Sequence, residues 1–344
     1  MSDSTAFNNI VSPPQVLDLF CGAGGFSQGF EKQGFDVLAG VDTNKDALNT
    51  YEKNHNSRSI QQDLTELSPS VFAFEYGIYP SDVDVMIGGP PCQGFSLANI
   101  DRSVDDDRNN LVFVFAEYVE YYQPDVFVME NVKGIQSVDD GTLFSNLKDD
   151  LRDAGYTVES TILNAADYGV PQTRERMFVQ GVKTGSVQWP QQTHEPSQNI
   201  QMVVDGGNTM KPYVTVSEAF EGLPTIGPNE TSEIPHHEAP TQRESTITRC
   251  RETEQGEQLY DSYETNKRLD ANRPSFTIIG KDWKYAHPTE PRGITVRERA
   301  RLQSFDDDFE LDGEETSQRQ QLANAVPVEL AASLADVVND ELNS

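Results

Sequence analysis

The chain has 344 residues, 36% of them hydrophobic, enough for one large domain or two moderate ones with a full core, and no apolar run approaches the ~20 residues of a membrane helix. Its start, "MSDSTAFNNI", carries no basic-plus-apolar leader, so a cytoplasmic protein is expected. A net charge of −30 weighs against a nucleic-acid partner for the chain as a whole, and three cysteines (Cys21, Cys92, Cys250) without CxxC spacing or matched histidines argue against a disulfide framework or a metal site.

In chain order, "QVLDLFCGAGGFSQGFEKQGF" reads as an apolar strand over Val16–Phe20, a glycine-rich turn and a helix ending at Gly34. "DVLAGVDTN" is a second buried strand, and "KDALNTYEKNH" has helical apolar spacing. "VDVMIGG" is a strand, "NLVFVFAEYVEYYQP" a helix closed by Pro124, "DVFVMENV" a strand and "TLFSNLKDDLRDAG" a helix. "YTVESTILNAADYG" and "RMFVQGVK" form a final pair of strands. Continuous apolar strands separated by helices predict an α/β fold: a doubly wound, mostly parallel sheet covered on both faces.

Past about Gly185 the texture changes to Gln, Pro, Gly and Thr with short apolar runs, which predicts a smaller, irregular, β-rich domain. Helical periodicity returns at "VRERARLQSF", and "NAVPVELAASLADVVNDEL" closes the chain as an amphipathic helix suited to packing on the first sheet. The predicted division is therefore residues 1–187, 188–291 and 292–344, the last returning to the first domain. Charge follows it: between His236 and Gln303, 12 Lys+Arg face 11 Asp+Glu, so this segment is +1 and the rest of the chain −31. Acidic excess with few lysines suits a halophilic source, where carboxylates hold hydration and salt screens their repulsion; a moderately acidic protein from ordinary salt is the alternative.

Four motifs carry chemistry. In "DLFCGAGG", glycines directly after a strand let a ligand approach the next helix, although their spacing departs from the dinucleotide GxGxxG. Asp42, about 20 residues on at a strand end, suits ribose hydroxyls, so the pair describes a nucleoside site at the sheet edge where Asp63, Pro90 and Glu130 also fall. A structural glycine turn with surface carboxylates would look alike. "GGPPCQGFS" sets Cys92 at a strand end on a stiffened approach, a layout for a thiolate nucleophile, against the plainer reading of a small buried hydrophobe. "MENV" puts Glu130 at the neighbouring strand end, where a desolvated carboxyl can donate a proton, though an isolated glutamate there is often a salt-bridge partner. In "QTRERMF", Arg174 and Arg176 point to one side if extended and could hold a carbonyl or phosphate, or form a solvated basic edge.

With these residues in view the chain resembles the DNA (cytosine-5) methyltransferase family over nearly its whole length. "DLFCGAGGFSQGF", "VDTN", "DL" at Asp63, "GGPPCQGFS", "MENV", "YGVPQTRERMF", "RGITVRERARLQSFDDDF" and "QLANAVPVELA" occur in that family's order. The resemblance implies S-adenosylmethionine as cofactor, with Phe20, Gly22, Gly24, Asp42, Asp63, Leu64, Pro90 and Asn324 around it. Thr43 stands where many members carry a residue that stacks on adenine. It implies duplex DNA as partner, a flipped cytosine, attack by Cys92 on C6, and Glu130 on N3. Arg176 would hold the base O2 and Arg174 support the loop or backbone. Gln93 and Ser96 would approach DNA from the catalytic loop.

By position alone, residues 188–291 match the family's target recognition domain, with Arg243, Arg249, Arg251, Lys267 and Arg268 as candidate DNA contacts. The expected enzyme is a monomer, and the resemblance admits a cognate restriction endonuclease as a partner. Three rivals stand beside this reading. A transfer-RNA methylating branch differs after its Pro-Pro-Cys, a catalytically silent DNA-binding relative would not need all these residues together, and a nicotinamide dehydrogenase is at odds with the glycine spacing.

Overall fold

The structure is a computed structural model that describes residues 12–91, 111–197, 210–260, 266–280 and 285–343. Seven strands form one sheet: β1 (Gln15–Leu19), β2 (Asp36–Asp42), β3 (Arg58–Gln61), β4 (Val85–Gly88), β5 (Val126–Val132), β6 (Thr157–Asn164) and β7 (Glu175–Val182). Their order is β3-β2-β1-β4-β5-β7-β6. The first five run parallel, while β7 is antiparallel to both β5 and β6. This is the doubly wound arrangement read from the sequence, with a hairpin-like closing pair at one edge. The chain reverses its winding between β1 and β4, so the carboxyl ends of these two strands open a crevice, the place where such sheets bind ligands.

Helices α1 (Gly25–Lys32), α2 (Lys45–Asn54), α3 (Pro69–Tyr76), α4 (Leu111–Tyr122) and α5 (Thr142–Asp153) are the crossovers. One apolar core joins Phe72 of α3, Phe115 and Tyr118 of α4 and Leu147 of α5 to Leu17, Met86 and Phe127 of the sheet. A second core covers the other face, where Phe26 and Phe30 of α1 meet Val85, Val128 and Phe178.

The rest of the chain contributes β8 (His194–Glu195), β9 (Lys211–Pro212), α6 (Val216–Ala219), α7 (Glu244–Glu252), β10 (Lys267–Arg268) and β11 (Tyr285–Ala286). The strands described here are two residues long and pair as β8-β9 and β10-β11, so irregular backbone dominates this region. It is held by a small core of Val216, Leu269, Ile278, Tyr285 and Ile294. After it come α8 (Val296–Leu302), α9 (Glu315–Asn324) and α10 (Val328–Leu342).

Helix α10 lies against α1 and adds Leu330, Leu334 and Val338 to the second core. Gly29 makes this contact close: a Cβ there would stand 2.3 Å from Ala331 Cβ. The last helix is thereby part of the first fold although it is last in sequence. No helix among the described residues is long and apolar enough to cross a membrane.

Candidate active site

At the crevice lies a cleft of about 650 Å³. It is lined by Phe20, Gly22, Asp42, Thr43, Asp63, Leu64, Pro90, Glu130, Arg174, Arg176 and Asn324, drawn from the carboxyl ends of β1 to β5, the amino end of antiparallel β7 and the end of α9. Residues up to 304 positions apart in sequence thus meet in one concavity, because parallel strands deliver their carboxyl ends to a single edge. Cys92, Gln93 and Ser96 lie outside the described residues. Pro90 and Pro91, which lead to them, line the cleft.

The turn after β1 is backbone-strained and anchored. Phe20 has φ +61, uncommon for a bulky residue, and Gly22 has φ +54. The Gly22 N–H donates to Asp42 Oδ2 at 2.9 Å, and Asn44 N–H donates to Oδ1 at 2.8 Å, so the Asp42 carboxylate fixes both turns that flank it. Asp63 similarly accepts from Thr65 N at 2.9 Å and from its hydroxyl at 2.7 Å. Each carboxylate retains lone pairs for a further donor.

Gly24 lies behind the cleft wall. It does not line the cleft, its N–H is spent on Cys21 O at 2.9 Å, and its requirement for glycine is internal. With φ +89, a Cβ would fall 2.1 Å from His55 Nε2 and 2.8 Å from the Tyr51 ring. The glycine is there so that α2 can close on the turn.

Glu130 is buried at the end of β5. Burial raises its pKa above the usual carboxylate range, while Arg176 and Arg174 oppose that rise. Arg176 Nε stands 3.0 Å from Glu130 Oε1 as an ion pair, without the alignment of a hydrogen bond. A carboxyl so placed keeps its proton to higher pH than an exposed one and can present it to a base. Arg174 is 1% exposed and donates from Nη2 to Ala323 O at 2.8 Å and Ala325 O at 3.2 Å. Burial and the Arg176 charge pull its pKa down to about 9, still above neutrality, so it remains a cation.

Two cleft-lining positions escaped the sequence reading. Asn131, next to Glu130, donates from Nδ2 to Pro90 O at 2.9 Å, tying the approach to Cys92 onto β5. Asp18 lies in the cleft wall, fully buried, with Oδ2 accepting from Ser27 Oγ at 2.6 Å and Oδ1 without a hydrogen-bond partner. Burial pushes its pKa up to about 8, with the Ser27 hydrogen bond pulling the other way. An acid inside the apolar run "QVLDLF" was the available signal.

The expected DNA contacts divide. Arg243, just before α7, and Arg249 and Arg251 on it are all exposed. Arg249 also donates to Leu259 O at 3.1 Å and its guanidinium sits 4.7 Å from the centre of the Tyr260 ring. Arg268 donates to the carbonyls of Thr253 and Pro288 at 2.8 and 3.1 Å, stapling the region together. Lys267 Nζ lies 4.4 Å from the centre of the exposed Phe276 ring. Long cations in an irregular segment with few ladder bonds are used to satisfy its carbonyls, which charge counting could not separate from DNA binding.

Comparison with known proteins follows the same lines. The model of the C-5 cytosine-specific DNA methylase family matches residues 15–340. The type II methyltransferase M1.HphI of Haemophilus parahaemolyticus is 36% identical over 336 residues, covering 94% of this chain and 86% of that protein. The type II methyltransferase M.NgoFVII of Neisseria gonorrhoeae is 33% identical, covering 97% and 89%. A crystal structure from E. coli, assigned as a DNA modification methyltransferase encoded within a prophage, superposes with TM-score 0.77 at 28% identity, covering 96% of this chain and all of that one.

Proposed function

The chain belongs to the C-5 cytosine-specific DNA methylase family, and from that membership we propose that it methylates C5 of a cytosine flipped out of a specific duplex DNA sequence, through a covalent bond to Cys92. It is a DNA (cytosine-5)-methyltransferase. The observation that carries the finer reading is the single cleft in which protonatable Glu130, with Arg176 at 3.0 Å, faces the ribose- and adenine-type acceptors Asp42 and Asp63.

The cleft fits S-adenosylmethionine. It has the volume for a nucleoside with a charged tail, two carboxylates beside a glycine turn, and a buried polar atom without a hydrogen-bond partner, Asp18 Oδ1, in its wall. Phe20, Gly22, Asp42, Thr43, Asp63, Leu64, Pro90 and Asn324 would hold it, and Gly24 would act only through the shape of the turn. When bound, it supplies an electrophilic methyl group.

Cys92 thiolate would attack C6 of the flipped base while Glu130 protonates or hydrogen-bonds N3, which makes C5 nucleophilic. Arg176 would hold O2 and keep Glu130 oriented. Asn131 would fix the start of the Cys92 loop through Pro90. Once C5 carries the methyl group and S-adenosylhomocysteine has left, loss of the C5 proton to solvent, elimination of Cys92 and return of the N3 proton to Glu130 would regenerate the thiolate and the acid.

Residues 1–187 and 292–344 would form the catalytic unit, and 188–291 the target recognition domain. Arg243 and Arg251, with Gln93 and Ser96, are the proposed DNA contacts, while Arg249 is assigned to holding the domain. The type II relatives support a restriction-modification setting, with an endonuclease of the same sequence specificity as partner. The charge of −30 supports a halophilic cytoplasm.

Transfer of labelled methyl groups to duplex DNA but not to transfer RNA is expected. Cys92→Ser should bind cofactor, fail to methylate, and form no denaturation-resistant adduct with DNA containing 5-fluorocytosine. Retained methylation by Cys92→Ser overturns the covalent mechanism.

A further inference from the structure

Asn324 ends α9 with its side chain exposed to the cleft, while Ala323 and Ala325 on either side are buried. The carbonyls of a helix's last turn have no partner within the helix, and they form its negative end. Here two of the backbone carbonyls that flank Asn324 are taken by one side chain: Nη2 of Arg174, from 149 and 151 positions away in sequence, donates to Ala323 O at 2.8 Å and to Ala325 O at 3.2 Å. Gln303 Nε2 meets the preceding carbonyl, Leu322 O. The same guanidinium leaves Nε and Nη1 buried without a hydrogen-bond partner and itself lines the cleft. Arg174 is therefore planted between the catalytic strand β7, two residues from Arg176, and the C-terminal segment.

We propose that Arg174 is a positioning residue for cofactor binding: by gripping the backbone on both sides of Asn324 it sets the direction in which that amide enters the cleft, so the strand that carries the base-holding Arg176 also fixes the cofactor wall. This rests on the cofactor reading above and extends it, because it gives the backbone support expected of Arg174 a specific target on the nucleoside side of the reaction. A flexible amide at a fraying helix end would lose part of its affinity to ordering on binding, and a capped one is already placed.

The test is a double-mutant cycle read by the dissociation constant of S-adenosylhomocysteine, measured by calorimetry on the full-length protein without DNA. Asn324→Ala and Arg174→Met should each weaken binding about tenfold, the ratio expected for loss of one charge-assisted or well-placed hydrogen bond. The double variant should be no weaker than Asn324→Ala alone, since Arg174 acts through Asn324. Arg174→Lys, which keeps a cation near both carbonyls, should recover part of the loss, and steady-state kinetics of that variant should show a raised cofactor KM.

Losses that multiply in the double variant overturn the inference, as does Arg174→Met binding like wild type. Should Arg174→Met not fold, the same cycle is run with Arg174→Lys and Arg174→Gln. Wild type that binds no S-adenosylhomocysteine would instead overturn the cofactor reading itself, and the inference with it.

Discussion

Arg176 Nε lies 3.0 Å from Glu130 Oε1, joining the ends of two neighbouring antiparallel strands across the cleft. Their Cα partners are offset: Glu130 is level with Phe178, and Arg176 with Val132, so the contact runs diagonally along one face. This geometry lets a cation oppose burial without pairing fully with the acid. Glu130 can then be protonated and yet held in place.

The first prediction concerns pH. Burial raises the Glu130 pKa, so the protonated form persists above the usual carboxylate range and is lost as pH rises through the raised value. If this proton is donated to the base, kcat/KM on duplex DNA falls on that alkaline side. Glu130→Gln should lower kcat by about 10²-fold or more and lose this limb of the profile. An unchanged pH profile in Glu130→Gln would remove Glu130 as the acid.

Asp18 gives a stability prediction of the opposite sign to an ordinary salt-bridged carboxylate. Its folded pKa of about 8 lies above the 3.8 of a free aspartate side chain, so between these values the folded protein holds a proton that the unfolded chain has released. Stability therefore declines as pH rises through that window, by at most about 1.4 kcal/mol per unit. Asp18→Asn keeps an acceptor for Ser27 and abolishes this slope. Thermal melting of both proteins from pH 5 to 9 should show the Asn variant gaining relative to wild type. Parallel curves would mean that Asp18 is ionised in the fold.

Gly24→Ala separates packing from ligand binding. Added Cβ contact with His55 and strain at φ +89 should destabilise the protein by about 1–3 kcal/mol, seen as a lower midpoint in urea. At temperatures where the variant is folded, its affinity for S-adenosylhomocysteine should stay within about threefold of wild type, below the ~1 kcal/mol of one net hydrogen bond. A large affinity loss with unchanged stability would return Gly24 to the cofactor's contacts.

Arg243, just before α7, and Arg249 within it make a matched pair. Arg249→Ala removes a bond to Leu259 O and the Tyr260 contact, so it should lower the melting temperature. Arg243→Ala should leave melting unchanged and reduce the slope of log affinity against log salt for cognate DNA by about one. For wild type above molar salt that slope should already be shallow, because counterion release contributes little there. A steep slope would contradict the halophilic reading.

The fold was legible because its signals are local. Apolar runs of strand length, glycine turns and amphipathic helices each lie within about 20 residues, and alternation of strand and helix implies a parallel sheet whose carboxyl ends share an edge. That argument alone gathered Asp42, Asp63, Pro90 and Glu130 at one edge, and their lining of one cleft follows from it. The sequence by itself thus determined the architecture and the kinds of chemistry at its edge. Tertiary structure decided what each polar group does there. The sequence could not separate Arg243 from Arg249, because a guanidinium serves a phosphate or a stray carbonyl equally well until the chain brings one within reach. Nor could it show that Gly24 answers to His55, that Asn131 holds Pro90, or that Arg174 grips the end of α9 from 149 residues away. Those assignments depend on which buried donors and acceptors are left over once the backbone is folded, and that remainder exists only in three dimensions.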